Sequence, residues 1–307
     1  MHRPRFHKDM LSLSPHVKSI SLLFFVYVLG WAMVEAVVPI YISQKFGTYT
    51  SVGLFVAALE FFALFWALLL GPILDKLEKR RVITATLILY VPFSPLFLSL
   101  STLLQFVFFR IYHSAIATAL WLTSDAYLRE HSSKNKESHA IGLFDFSVGA
   151  AQVIGGLIGA VIVVYLGFNI IYAVSFFAFV AMIVSFFIPD HSRKQNFASL
   201  IRKFHFSNVK KEFQDFFGNN EAGKLLFFHV PYVLSKAILP MIIPLFVSYI
   251  SGSLSLACIV TALFYAPMMF ESVFSTSSKP ARTLTLACGA AIILYLVLFF
   301  TTNVAIM

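Results

Sequence analysis

The sequence predicts an all-helical, polytopic membrane protein, and three observations carry that prediction. Of the 307 residues, 59% are hydrophobic and 12% are charged, whereas charged residues make up about a quarter of a soluble domain. Nine apolar runs, at 19–43, 51–74, 82–101, 102–128, 140–165, 168–188, 225–249, 253–274 and 284–304, are each long enough to cross a bilayer, which takes about 20 helical residues. The connections between them differ in charge by side. Twenty Lys and Arg lie at 1–18, 76–81, 129–136, 193–224 and 279–282, against Lys45 alone in the alternate connections.

Short cytoplasmic connections retain Lys and Arg, so the N-terminus is expected in the cytoplasm and the chain in the cell membrane. The net charge of +9 is then a signal of topology, and no nucleic-acid partner is expected. The first apolar run is too long for a cleaved leader and is read as a span. Cys258 and Cys288 both fall inside apolar runs, so no disulfide framework, metal site or cofactor is predicted from them. The expected organisation is a cytoplasmic N-terminus at 1–18, a six-helix bundle at 19–189, a cytoplasmic linker at 190–223 and a partial bundle of three helices at 224–307.

In the first span, Tyr27, Trp31, Glu35 and Val38 recur at helical spacing, and their shared face must turn inward if Glu35 is to avoid lipid. The second span carries Glu60 about half way along. Residues 71–81 follow, with the turn-forming pair Gly71-Pro72 and the charges Asp75, Lys76, Glu78, Lys79, Arg80 and Arg81. Hydrocarbon does not accommodate such a stretch, which predicts a tight cytoplasmic hairpin in which Lys79 and Arg81 are solvated surface charges. The third span contains Pro92 and Pro95 and predicts no chemistry.

The fourth span is the most polar of the first six. Arg110, His113, Ser114, Ala117, Trp121, Ser124 and Asp125 fall on one stripe at about 100° per residue. Asp125 and Arg129 are four residues apart, where side chains on a helix meet. The fifth span holds Gly142, Gly149, Gly155, Gly156 and Gly159, a density of small residues that lets another helix approach closely. Beyond the sixth span, aromatic and aliphatic residues at 197–217 recur at helical spacing among Arg202, Lys203, Lys210 and Lys211. That pattern predicts an amphipathic helix on the anionic lipids of the inner leaflet. The seventh span offers Tyr232 and Lys236. Its Ile243-Pro244-Leu245-Phe246-Val247-Ser248 echoes Val38-Pro39-Ile40-Tyr41-Ile42-Ser43 at an offset of 205 residues, as duplication of a half-transporter would leave.

The hairpin resembles the loop between the second and third helices of the major facilitator superfamily. Gly71, Asp75, Lys76, Lys79 and Arg80 fill that family's pattern, and Glu78 stands where the family has its second glycine. The order Leu29-Gly30, a gap, then Pro39-Ile40-Tyr41 is similar to the first helix of the family's drug exporters. In the fifth span Gly142, Ala151, Gly155, Gly156, Gly159 and Ala160 match its antiporter pattern, with Gly156 replacing a proline. The resemblance implies two helical bundles working by alternating access around a cavity lined by helices 1, 4, 7 and 10. Counting ~1.5 Å per residue puts Glu35 and Arg110 at the same depth. The resemblance lets them meet in that cavity with Lys236 and Tyr232.

The expected site for substrate or protons is therefore Glu35, Glu60, Arg110, His113 and Lys236 with Trp31, Trp121 and Tyr232. Gly71, Asp75, Lys76, Arg80, Asp125 and Arg129 form a conformational latch by resemblance, and Gly142, Gly155, Gly156 and Gly159 pack helices. Buried ionisable groups in a membrane are costly and need a reason. One is proton-coupled carriage of a small solute, with Glu35 coupled to Arg110. The other is a permanent Glu35–Arg110 pair that only neutralises two charges. Mixed signs suit an anionic or zwitterionic solute, and the aromatic residues suit a lipophilic one. Motifs for a nucleophile, metal ligands or a phosphate loop are missing, so neither catalytic residues nor an enzyme is expected. If the second half repeats the first, three further helices are expected. A truncated chain is the favoured expectation, beside a shortened relative completed by another chain. The functional alternative to a transporter is a non-transporting remnant or a ligand-binding membrane protein.

Overall fold

A computed structural model describes residues 13–133, 136–189, 218 and 238–275, with side chains up to 266. Lys236, Tyr232, the stretch at 197–217, the ninth span and most of the linker lie outside the described residues. Among those described, all regular structure is helical: α1 (Pro15–Ala32), α2 (Val37–Phe46), α3 (Tyr49–Leu74), α4 (Lys79–Tyr90), α5 (Phe93–Ser99), α6 (Leu103–Glu130), α7 (Glu137–Leu166), a 3₁₀ turn (Gly167–Ile171), α8 (Tyr172–Ser185), α9 (Ile238–Ser251) and α10 (Leu254–Ser275). The apolar helices make this an integral membrane protein. α1 packs on α7 and α8, α3 and α4 pack on α6, and α7 lies between α1 and α10.

Two expected spans are broken. The first is two helices joined by a turn at 33–36, because Pro39 has no N–H for the carbonyl of Glu35 four residues back and its ring crowds that carbonyl. The turn closes with shorter bonds, Val34 N to Trp31 O at 3.0 Å and Val37 N to Val34 O at 2.8 Å. The third span breaks between Tyr90 and Phe93, at Pro92. There Ser94 and Ser175 cap each other: the Ser94 N–H donates to Ser175 Oγ at 2.9 Å, and the Ser175 N–H to Ser94 Oγ at 3.2 Å. The sequence reading of a chemically silent third span missed this discontinuity and the role of Tyr90 described below.

The internal echo extends into backbone geometry. α2 ends at Gly47 (φ 68°) and α9 at Gly252 (φ 65°), both left-handed. Their N–H groups reach the carbonyls of Ser43 and Ser248 at 2.8 and 2.9 Å, a helix stop that favours glycine. Thr48 Oγ1 then accepts from Ser51 N at 3.3 Å, and Ser253 Oγ from Leu256 N at 3.2 Å, to start α3 and α10. Every pair is separated by the same 205 residues.

The hairpin departs from expectation. Gly71 and Pro72 lie in the last turn of α3, and the reversal falls at 75–78. A side chain at Gly71 would meet open space, so no tight turn requires that glycine. Lys79 is buried at 3% exposure, against its expected solvation. Its Nζ donates to the carbonyls of Leu74 (2.8 Å), Asp75 (2.6 Å) and Leu77 (3.4 Å) and pairs with Glu130 at 3.5 Å. The carbonyls that end α3 have no helical partner, and the ammonium satisfies them. Arg81 is exposed and pairs with Glu78 at 2.5 Å. Lys79→Met is therefore expected to lower stability by about 2–4 kcal/mol, and Arg81→Met by less than about 1 kcal/mol. Equal thermal midpoints of the two purified variants in detergent would remove Lys79 from this role.

Candidate functional site

The break in the first span sets up the site. Glu35 sits in the turn between α1 and α2, half-buried, and its Oε1 accepts a hydrogen bond from the Tyr265 hydroxyl of α10. Tyr265 is 5% exposed, so the bond joins two distant parts of the chain inside the protein. α7 makes the approach possible. A Cβ at Gly155 would come within 2.7 Å of Leu29 O, and one at Gly159 within 2.8 Å of Met33 Cα, both on the first span. On the α10 side, a Cβ at Gly156 would come within 2.7 Å of Ala262 Cβ. Gly142 is buried on the same helix.

Arg110 and His113 form a second polar centre on α6. Arg110, 2% exposed, donates from Nε to the Phe55 carbonyl at 3.1 Å, and its guanidinium lies 3.5 Å from the Phe55 ring centroid. Its Nη1 is 2.6 Å from His113 Nδ1. Arginine only donates, so Nδ1 accepts, and the ring proton sits on Nε2 and donates to the Tyr90 hydroxyl at 2.9 Å. His113 is stacked on Trp31 at 5.0 Å and edged by Phe93 at 5.0 Å. A cation over an aromatic face and a neutral imidazole between rings are both favourable where water is scarce.

The expected partnership of Glu35 with Arg110 is not formed in this conformation. Glu35 turns to α10, whereas Arg110 turns to α3 and interacts electrostatically with Glu60. Direction around the span was not readable from a straight helix, because Glu35 lies in the turn at 33–36. Glu60 is exposed and lines a cavity between α3 and α9. Trp31 joins the His113 cluster, while Trp121 sits a few turns away at 37% exposure, edge-on to Phe24 and Phe144. Tyr265, Tyr90 and Phe55 escaped sequence reasoning. Tyr265 is a lone tyrosine in an apolar run, and only the 205-residue offset, which pairs it with Glu60, singles it out.

Comparison with known proteins decides the family. The Major Facilitator Superfamily model matches residues 20–307. The chain belongs to the major facilitator superfamily. No curated protein matches the sequence. Among solved structures, the chain is similar to the crystal structure of a bacterial homologue of the human lysosomal transporter Spinster, inward-facing and unoccupied. Identity is 14%, the TM-score is 0.56, and the match covers 90% of this chain and 62% of that one. The chain thus spans less than two thirds of that protein's length, and the likeness is one of fold.

The signature loop of this superfamily member ties helices together within one group. Arg80 donates to the Phe186 carbonyl beyond α8 at 2.6 Å, while Lys79 holds the ends of α3 and α6. Asp75, Lys76, Asp125 and Arg129 are exposed, and Asp125 interacts electrostatically with Arg129. At the same face Tyr127 donates to the Pro189 carbonyl at 2.9 Å, and His16 and His131 stack at 4.3 Å.

Proposed function

We propose that this chain acts in secondary active transport, moving a small solute across the membrane by alternating access with protons as the coupling ion. The observation that carries the reading is the Glu35 carboxylate at a helix break within the membrane, bonded across the protein to Tyr265. Discontinuous helices are where transporters of this general kind place substrate and ion sites, since freed backbone and a charged side chain coincide there. A carboxylate held by a hydroxyl loses that bond's strength on taking up a proton, because a charge-assisted bond becomes a neutral one. Proton uptake would thus loosen the tie between α1–α2 and α10. Family membership and the fold support the transport part of the reading.

In this reading Arg110, His113, Glu60, Lys236 and Tyr232 are further substrate- or proton-binding residues, with Trp31 and Trp121 as aromatic surface. Asp75 and Lys76, exposed on the loop face, serve as the latch to the opposite bundle. The bundles are those at 19–189 and 224–307. The N-terminus is cytoplasmic, the membrane is the plasma membrane, and residues 197–217 rest on anionic lipid.

The test takes solutes that raise the thermal midpoint of the purified full chain, then follows their accumulation in proteoliposomes under an imposed pH gradient. Accumulation that collapses with a protonophore is expected. Solutes that bind without being moved would replace the transporter by a ligand-binding membrane protein. Accumulation indifferent to the protonophore would remove proton coupling.

A further inference from the structure

The start of α1, the end of α6 and Pro189 beyond α8 meet at a group of three rings that the transport reading does not use. Tyr127 is buried at 3% exposure, and His16 and His131 are half-buried. His131 stacks on both of the others, its ring centroid 4.1 Å from Tyr127 and 4.3 Å from His16. The Tyr127 hydroxyl gives its proton to the Pro189 carbonyl at 2.9 Å, so toward His16 Nδ1, 2.7 Å away, it accepts. His131 Nδ1 lies 2.9 Å from the Tyr127 carbonyl, which also accepts. Ser14, the cap of α1, donates to the His131 carbonyl at 3.1 Å and closes the same contact.

Both imidazoles therefore carry a proton on Nδ1 whether neutral or charged, and a further proton adds to Nε2 without breaking any of these bonds. Its effect is one of charge. One imidazolium against a neutral imidazole and a tyrosine ring is favourable, whereas two imidazoliums stacked at 4.3 Å repel. The two positions are also unequal. His131 caps the carbonyl end of α6, where positive charge is favoured, and His16 is the second residue of α1, where the helix N–H groups oppose it. The first proton thus falls on His131, and the second is resisted from two sides. The other charged or titratable groups at these helix ends and at the start of α7 are Lys18, Arg129, Glu130, Lys136, Glu137 and His139, and Asp190 and His191 follow Pro189 in sequence. Glu130 is paired with Lys79 at 3.5 Å, and Arg80 is held by the Phe186 carbonyl at 2.6 Å.

We propose that His16, Tyr127 and His131 form a proton-counting clasp: with one proton it holds the start of α1, the end of α6 and Pro189 together, and a second proton parts them. The clasp involves neither Glu35 nor a solute, so it stands or falls separately from the transport reading. The experiment places nitroxides at Ser133→Cys and Phe187→Cys, both exposed, in the full chain carrying Cys258→Ala and Cys288→Ala. The dipolar distance between them is followed in phosphatidylcholine nanodiscs from about pH 8 to pH 5, the range over which histidine changes charge.

One narrow distance is expected at the upper end and a longer, broader population on acidification, the ratio of closed to parted molecules falling about tenfold per pH unit, as release by one proton requires. His16→Asn and His131→Asn keep an N–H near the Nδ1 position but cannot charge, and each is expected to stay closed in acid. His139→Asn and His191→Asn are expected to part as the wild type does, and Tyr127→Phe, without the hydroxyl, is expected to be parted at every pH. A distance indifferent to pH, an acid response that survives His16→Asn or His131→Asn, or a Tyr127→Phe chain that behaves as wild type would overturn the proposal. If an asparagine variant is parted at every pH, the ring-carbon resonances of histidine-labelled wild type decide. Parting in step with the His16 resonance, after that of His131 has moved, supports the clasp, and parting in step with His131 or with neither overturns it.

Discussion

Gly159→Leu is expected to leave little or no monodisperse protein after detergent extraction. A Cβ at this position would sit 2.8 Å from Met33 Cα and closer still to the Met33 carbonyl oxygen. Both are backbone atoms at the turn between α1 and α2, so no side-chain rotation relieves the clash. Overpacking of a side chain costs about 1–3 kcal/mol, and a clash with backbone that must shift a whole helix exceeds that range. Gly53→Leu is the control. It lies on a helix facing open space, and its effect is expected within about 0.5 kcal/mol. Size-exclusion profiles and thermal midpoints of the two variants, prepared together, make the comparison. Similar profiles would mean that α7 does not bear on the first-span turn as described.

The second large effect concerns Glu35. Glu35→Gln keeps the shape and can still accept from Tyr265, but it cannot change protonation state. Accumulation driven by a pH gradient is expected to fall by about tenfold or more, while exchange of solute at equal concentration on both sides, which needs no net proton movement, persists. Tyr265→Phe keeps the carboxylate and removes the donor, so coupled accumulation is expected to persist with altered rate. The two substitutions share one bond, and their effects should be non-additive.

Much of the fold was legible because the membrane simplifies the problem. Apolar runs of sufficient length and one-sided Lys and Arg locate spans without detailed side-chain reasoning. The 38–43 and 243–248 echo was real and understated: it continues through Gly47 and Gly252 into matching caps. What escaped was direction. Pro39 and Pro92 each interrupt a span, and a break re-aims the side chains at it, so the depth count and the resemblance that let Glu35 meet Arg110 did not point to Tyr265. Lys79 was read as solvated because a lysine in a charged loop usually is. The carbonyls that hold it come from the end of α3, which extends past Gly71-Pro72 to Leu74. Tyr265 lies 230 residues from its partner, beyond the reach of any local pattern.

In the proposed function, Glu35 is the group whose protonation is linked to movement between bundles. Its most direct test is one preparation of Glu35→Gln proteoliposomes assayed in two ways, for solute exchange without a pH gradient and for net accumulation with one. Exchange retained and gradient-driven accumulation lost is the predicted result. Accumulation at the wild-type level would contradict it and return Glu35 to a structural role in joining the first span to α10.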